Sequence, residues 1–278
     1  MSVMCPGEPS GEDARQAPVG VFDSGLGGLS VLRAIRQRLP GEDLVYVADA
    51  AHVPYGGLGA ERIRARAHVL TGFLVERGAK AIVVACNTAT AVAVTELRHR
   101  WALPIIGMEP AIKPAVALTR SGVVGVLATE GTLASARFAG LLEQYGGDVR
   151  VVTQPCPGLV AAVEAGDLDG PSTRALLAGY MQPLLSAGAD TIILGCTHYP
   201  FLLPLIRDLA GPEVAIVETA DAVARELERR LDGSSRLRSG DSAGGESFWT
   251  SGDPGAAGPV LARLWGGQPA FRRLPESG

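Results

Sequence analysis

From Val19 onward the chain alternates short apolar runs with amphipathic stretches. Val19-Gly-Val-Phe22 leads into the tight turn Ser24-Gly-Leu-Gly-Gly28, and Leu29, Leu32, Ile35 and Leu39 then recur at helical spacing until Pro40-Gly41 stops them. The same pattern predicts a strand near 44–48, a helix near 60–77, a strand at 81–85, a helix near 90–100 and a strand near Ile105. Strands alternating with helices at this spacing call for a parallel sheet, because each strand needs a helical crossover before the next can start from the same edge.

The second half of the chain repeats the first. VGVFDSGL at 19–26 aligns with VGVLATEG at 124–131, and IVVACNTATAVA at 82–93 aligns with IILGCTHYPFLL at 192–203. The strand around Ile105-Ile106 has its counterpart around Ile216-Val217. Three matches in one order point to two α/β halves of similar construction facing each other across a cleft. Chance likeness between common strand-turn patterns is the alternative, and the two matching cysteines argue against it.

Residues 1–17, rich in Pro, Gly, Ser and charge, are expected to be a disordered tail, and 233–247 a flexible insert. A strand-like FWTSG and a last helix around 259–265 follow. The expected organisation is a first α/β domain from 18–113 plus 217–268 and a second from 114–216.

Composition narrows the class. Hydrophobic residues make up 47% and charged residues 19%, as in a globular protein with a sizeable core. A net charge of −4, with arginines dispersed, argues against coating nucleic acid or an anionic membrane. No apolar run approaches the roughly 18 residues of a membrane span. The N-terminus has neither a basic nor an apolar signal region, so a cytoplasmic protein with reduced thiols is expected.

In a parallel sheet, functional groups gather in loops beyond the carboxyl ends of the strands. Four such loops here are polar: Asp23-Ser24-Gly25, Cys86-Asn87-Thr88, Thr129-Glu130-Gly131-Thr132 and Cys196-Thr197-His198. A thiol suits proton transfer, since its reference pKa of about 8.5 lies near working pH and a helix N-terminus stabilises the thiolate. Cys86 and Cys196 both stand where a strand ends and a helix should begin. Asn87, Thr88 and Thr197 offer donors to a carboxylate, and His198 offers an acid or base. Cys5 and Cys156 lack such company and are expected to be inert, as are His52, His68 and His99.

Two other chemistries are expected to be absent. Pyridoxal phosphate needs a Schiff-base lysine, and the only lysines are Lys80, before a strand, and Lys113, in a connection. Cys86, Cys196 and His198 lack the close spacing of a zinc site. A dinucleotide-binding reading rests on Gly25, Gly27 and Gly28 after a strand, with Asp49 about 20 residues on. It is weakened by Ser30 at the third glycine position and by the Asp23 carboxylate beside the presumed pyrophosphate.

At VFDSGLGGLSVL, the PYG at 54–56, ACNTAT, IIGMEPAIKPA, ATEGT, CPGLVAAVEAG, GCTHYPFL and FWTSGDP, the chain resembles the glutamate racemases of the aspartate/glutamate racemase superfamily. The resemblance spans nearly the whole chain. It implies two pseudo-symmetric, doubly wound, flavodoxin-like domains with the amino acid bound between them, and no cofactor. It implies proton transfer by Cys86 and Cys196, with Cys86 serving the D-enantiomer and Cys196 the L-enantiomer. Asp23 on one side, and Glu164 and His198 on the other, would support them. Ser24, Pro54, Tyr55, Gly56, Asn87, Thr88, Thr129, Thr132 and Thr197 would bind substrate, together with Asp23, the two cysteines and His198. It further implies D-glutamate production for peptidoglycan and a homodimer. Aspartate or hydantoin racemase is the alternative within the superfamily. The sequence departs from the family pattern at Ala51-His52-Val53, where an arginine is common, and at Ala128, where glycine is common.

Overall fold

The computed structural model describes residues 11–238 and 242–275, and places ten strands in two all-parallel sheets. The strands are β1 (Val19–Asp23), β2 (Leu44–Ala48), β3 (Ala81–Val84), β4 (Ile105–Ile106), β5 (Val123–Ala128), β6 (Arg150–Pro155), β7 (Thr191–Gly195), β8 (Ala215–Val217), β9 (Glu246–Thr250) and β10 (Phe271–Arg273). The first sheet runs β10-β9-β2-β1-β3-β4 and the second β6-β5-β7-β8. The order β2-β1-β3-β4 and the order β6-β5-β7-β8 are the same flavodoxin-like winding, used twice. The internal repeat in the sequence is therefore a repeat of topology: β1 corresponds to β5, β3 to β7 and β4 to β8.

Strands covered by helices on both faces read as unbroken apolar runs, because neither side meets water. β1, β2, β3 and β7 are buried at every residue. Alternate side chains of β1 and β2 enter different cores. Val19, Val21 and Tyr46 face one cluster with Leu32 and Ile35 of the helix Leu29–Arg38. Phe22, Val45 and Val47 face another with Ile63 and Leu70 of the helix Ala60–Glu76. The first cluster continues into the second half through Leu127, Leu159, Leu177 and Ile192, so apolar packing is continuous between the two sheets.

The structure departs from the expected ends of these regions. Within the supposed tail, Gly11–Gln16 forms a helix, anchored where the Lys80 ammonium donates to the Arg15 carbonyl at 2.7 Å; Cys5 lies outside the described residues. Within the supposed insert, Gly233 closes the helix Ala220–Gly233, Glu246 opens β9, and the Arg238 guanidinium donates to Gly41, Asp43 and Gln16. A polar composition concealed these segments because hydrogen bonds from Lys80, Arg15 and Arg238 fix them, with Ala14 and Leu237 as their only inward apolar contacts among the described residues. β10 pairs with β9 beyond the expected domain end at 268. Among the described residues no helix is long and apolar enough to cross a membrane.

Candidate active site

In both sheets the strand termini point their following loops into the space between the halves. Cys86 follows β3 and caps the helix Asn87–Arg100, with its sulfur accepting the Ala89 N–H at 3.5 Å. Cys196 follows β7, the corresponding strand, and precedes a short 3-10 turn at Tyr199–Leu202. Ser24, Pro54, Tyr55, Gly56, Cys86, Asn87 and Thr88 from the first half line one cavity with Thr129, Val160, Gly195, Cys196, Thr197 and His198 from the second. Its free volume is about 10 Å³, and Cys86 and Cys196 are 5% and 7% exposed. This is a closed pocket with room for about one water.

Three of the expected site residues stand behind that wall. Asp23 is fully buried at the end of β1, where one carboxylate oxygen accepts the Ser24 N–H at 2.7 Å and the other the Gly28 N–H at 2.6 Å. The second oxygen also accepts from the Thr197 hydroxyl at 3.3 Å, a bond across the cleft. Glu164, the last residue of the helix Leu159–Glu164, reaches the opposite half and accepts the Leu26 N–H at 2.6 Å. Thr132 is buried with its hydroxyl 3.2 Å from Thr88 Oγ1 and 3.0 Å from Thr129 Oγ1.

The two thiols sit in different electrostatic settings. Cys86 Sγ lies 3.9 Å from the Ser24 hydroxyl, and burial followed by the charge of Asp23 pushes its thiol well above the ordinary range. Burial also raises the Asp23 carboxyl, against the downward pull of His198 and of its hydrogen bonds. On the other side, His198 Nδ1 is 3.6 Å from Cys196 Sγ, and Nε2 is 2.6 Å from Glu164 Oε1. Burial alone would strip a proton from this ring. The bonds to Cys196 and Glu164 more than offset burial, and His198 is held well above its ordinary pKa.

The glycine turn is required by close approach. A Cβ on Gly25 would lie 2.1 Å from Glu164 Oε1, and one on Gly27 2.2 Å from His198 Nδ1. The turn that resembled a phosphate cradle thus receives the protein's own side chains: Asp23 and Glu164 take the Gly28 and Leu26 N–H groups that a pyrophosphate would use. Asp49, the presumed ribose ligand, is fully buried and engaged by Arg66 and Tyr55. These occupied groups remove the basis for the dinucleotide reading.

Asn87 is 4% exposed, and neither its amide nitrogen nor its amide oxygen has a partner. A buried amide left unmatched costs about 1–3 kcal/mol, so the pocket is built for something with both a donor and an acceptor. Val160 and Gly195 line the cavity without having been expected, since neither carries a reactive group. Cys156 lies outside this cavity, buried, with its thiol donating to the Gln154 carbonyl at 3.2 Å. It lines an adjoining outer cavity of about 200 Å³ that shares Pro54, Gly56, Thr129 and Val160 with the inner one. Lys80 stands at the opposite, amino end of the first sheet, buried against Glu42 at 2.5 Å. Lys113 packs its ammonium over the Tyr145 ring. His52 and His68 pair with Asp49 and Glu96, and His99 is exposed on its helix.

Residues 19–227 match the family described as Asp/Glu/Hydantoin racemase. A glutamate racemase of Stutzerimonas stutzeri (strain A1501) is 60% identical over 261 residues, spanning 94% of this chain and 98% of that protein. The crystal structure of a glutamate racemase isoform from Bacillus anthracis superposes with a TM-score of 0.86 at 31% identity, over 94% of this chain and 98% of that one. The Escherichia coli glutamate racemase, solved with L-glutamate and the activator UDP-MurNAc-ala, gives a TM-score of 0.83 at 30% identity, over 94% and 99%.

Proposed function

We propose, for a chain that belongs to the Asp/Glu/hydantoin racemase family and within it to the glutamate racemases, that L- and D-glutamate are interconverted between Cys86 and Cys196 by direct proton transfer. The observation that carries this reading is the shared cavity: one sulfur from each half, at the same strand position of a repeated fold, lining a single closed pocket. Inversion needs two proton carriers, because a single base that removes and returns the proton on one face restores the starting hand.

The settings of the two thiols support a division of labour. Cys196 stands 3.6 Å from the Nδ1 of a protonated His198, while burial and the Asp23 charge hold Cys86 as the thiol. This resting arrangement suits removal of the α-proton from L-glutamate by Cys196 and delivery of a proton by Cys86, giving D-glutamate. One such turnover leaves Cys196 as thiol and Cys86 as thiolate, the state from which the reverse reaction starts, so a second turnover in the same direction requires a proton to return from Cys196 to Cys86. Glu164 and Asp23 act through their neighbours, holding the imidazole and the glycine turn respectively. Asn87 supplies the unpaired donor and acceptor that an α-ammonium and carboxylate would satisfy, with Thr88, Thr129 and Thr197 as further hydroxyl donors. Fixed donors of this kind stabilise the negative charge that builds on the carboxylate as the α-proton leaves.

A pocket holding one water cannot admit glutamate, so the reaction requires an open state. The halves meet where Gly56 faces Gly131 and Thr129, closely enough that a Cβ on Gly131 would lie 3.1 Å from the Gly56 carbonyl oxygen. Parting that contact joins the inner pocket to the outer cavity. Division into domains at about residues 113 and 217, assembly as a homodimer, a cytoplasmic location and use of the D-glutamate in peptidoglycan complete the reading.

The test replaces Cys86 or Cys196 singly by Ser and follows exchange of the α-hydrogen with solvent deuterium from each enantiomer. Each variant should lose racemisation, with exchange surviving at most from the enantiomer served by the intact thiol. Full racemisation by either variant would refute the two-thiol mechanism.

A further inference from the structure

Tyr55 forms part of the pocket wall, yet its hydroxyl is committed elsewhere. It donates at 2.5 Å to Asp49 Oδ2, at the carboxyl end of β2. Asp49 is fully buried, and the helix Ala60–Glu76 brings Arg66 to it in a two-pronged pair, Nε to Oδ2 at 2.9 Å and Nη2 to Oδ1 at 2.8 Å. His52 Nδ1 stands 3.1 Å from Oδ1. Burial works against the Asp49 charge, but the bonds from Arg66 and Tyr55 prevail and hold the carboxyl below its ordinary range. Tyr55 is held in its protonated, donating form by burial and by that same carboxylate.

A buried carboxylate with a planar guanidinium fork fixes direction as well as charge. Here it fixes the side chain that ties the Pro54-Tyr55-Gly56 turn to the end of β2. On its other face the turn abuts the second half, since a Cβ on Gly56 would lie 2.9 Å from Thr129 Cβ. When the halves part to admit substrate, that second contact is lost, and the Asp49 anchor and the apolar packing of the Tyr55 ring remain.

We infer that Asp49 and Arg66 are positioning residues for substrate binding, holding the Tyr55 ring and its turn at the pocket wall through the open state. Tyr55 then serves as a fixed wall whose hydroxyl is already committed. This inference rests on the glutamate racemase reading given above.

The experiment measures KM and kcat for glutamate in both directions for D49N, R66M, R66K and Y55F, with melting temperature recorded for each. KM should rise about tenfold or more in D49N, R66M and Y55F, with kcat within about threefold of the parent. R66K keeps the charge without the fork and should fall between the parent and R66M. Because Tyr55 and Asp49 act as one unit, the double variant Y55F/D49N should bind no worse than D49N alone. A purely structural role would lower the melting temperature and leave KM unmoved, which would overturn the inference, as would a loss confined to kcat. Should D49N or R66M fail to fold, Y55F, which removes one oxygen, decides by the same criterion. Absence of glutamate turnover in the parent protein would instead fault the functional reading.

Discussion

His198 Nδ1 lies 3.6 Å from Cys196 Sγ while its Nε2 lies 2.6 Å from Glu164 Oε1, so one imidazole connects a thiol to a carboxylate. Cys86 has no equivalent. Its nearest charged neighbour is Asp23, whose negative charge favours the thiol over the thiolate. A pseudo-symmetric fold therefore presents two sulfurs in different electrostatic settings, and the first two predictions follow from that asymmetry.

Replacing His198 by Asn removes the protonated ring that stands 3.6 Å from Cys196 Sγ. Acid–base assistance by a positioned side chain contributes about 10²- to 10⁴-fold, and kcat should fall within that range. α-Hydrogen exchange from L-glutamate in deuterium oxide should slow more than exchange from D-glutamate, because Cys86 is untouched. Equal slowing from both enantiomers would show that His198 is not tied to one thiol.

The same ring links stability to pH. Its folded pKa lies above the unfolded value of 6.5. Protonation therefore favours the folded state, and the contribution is complete below pH 6.5 and lost as pH rises through the higher folded value. The melting temperature of the parent protein relative to H198N should narrow as pH is raised from 6 into the alkaline range. A gap that widened with pH would mean that the buried ring is neutral. Thermal scans at closely spaced pH values decide between these outcomes.

Substitutions in the glycine turn should damage activity by a steric route. In G27A the new methyl would stand 2.2 Å from His198 Nδ1 and 2.6 Å from Thr197 Oγ1, so the imidazole must move off Cys196. Racemisation should drop at least tenfold. Gly72 is the control: it lies within a helix with open space at its Cβ position. G72A should keep full activity and gain about 0.5–1 kcal/mol of stability from helix propensity. Wild-type kcat in G27A would show that the turn yields more easily than the contacts imply.

The alternation of apolar runs with helical spacing located β1 to β4, β7 and the helices that follow β1, β2 and β3 within a few residues, because buried parallel strands leave an unbroken apolar signature; the helix Ile112–Leu118, which carries Lys113, was read as a connection. β6 escaped: it is a half-exposed edge strand reading Arg-Val-Val-Thr-Gln-Pro, without clean periodicity and ending in proline. β10 escaped because three residues, two of them arginines, carry no pattern. The two cysteines were legible because the repeat marked them twice. Glu164 was reachable only through family resemblance, since nothing around it in the sequence signals a partner in the other half. Asp49 and Arg66 are 17 positions apart on different elements, and only the fold joins them. Asp49 was visible as an acid at a strand end, but its spacing from the glycines pointed to a ribose ligand instead of to Tyr55.

The last prediction concerns the end of the sheet away from the pocket. Lys80 and Glu42 are buried with side chains 1% and 2% exposed, and Lys80 also donates to the Arg15 carbonyl, tying down the N-terminal helix. Glu42 in turn accepts the Arg238 N–H at 2.8 Å. Removing one member of a buried pair leaves the other charge uncompensated, a cost of about 3–5 kcal/mol, whereas neutralising both avoids that penalty. K80M should therefore unfold at markedly lower denaturant, and K80M/E42Q should recover part of the loss. Neither should alter KM, since the pair stands at the amino ends of the strands and the pocket at their carboxyl ends. Urea titrations give the two stabilities directly, and a double variant less stable than K80M would show that Glu42 is held by its other partners and not by Lys80.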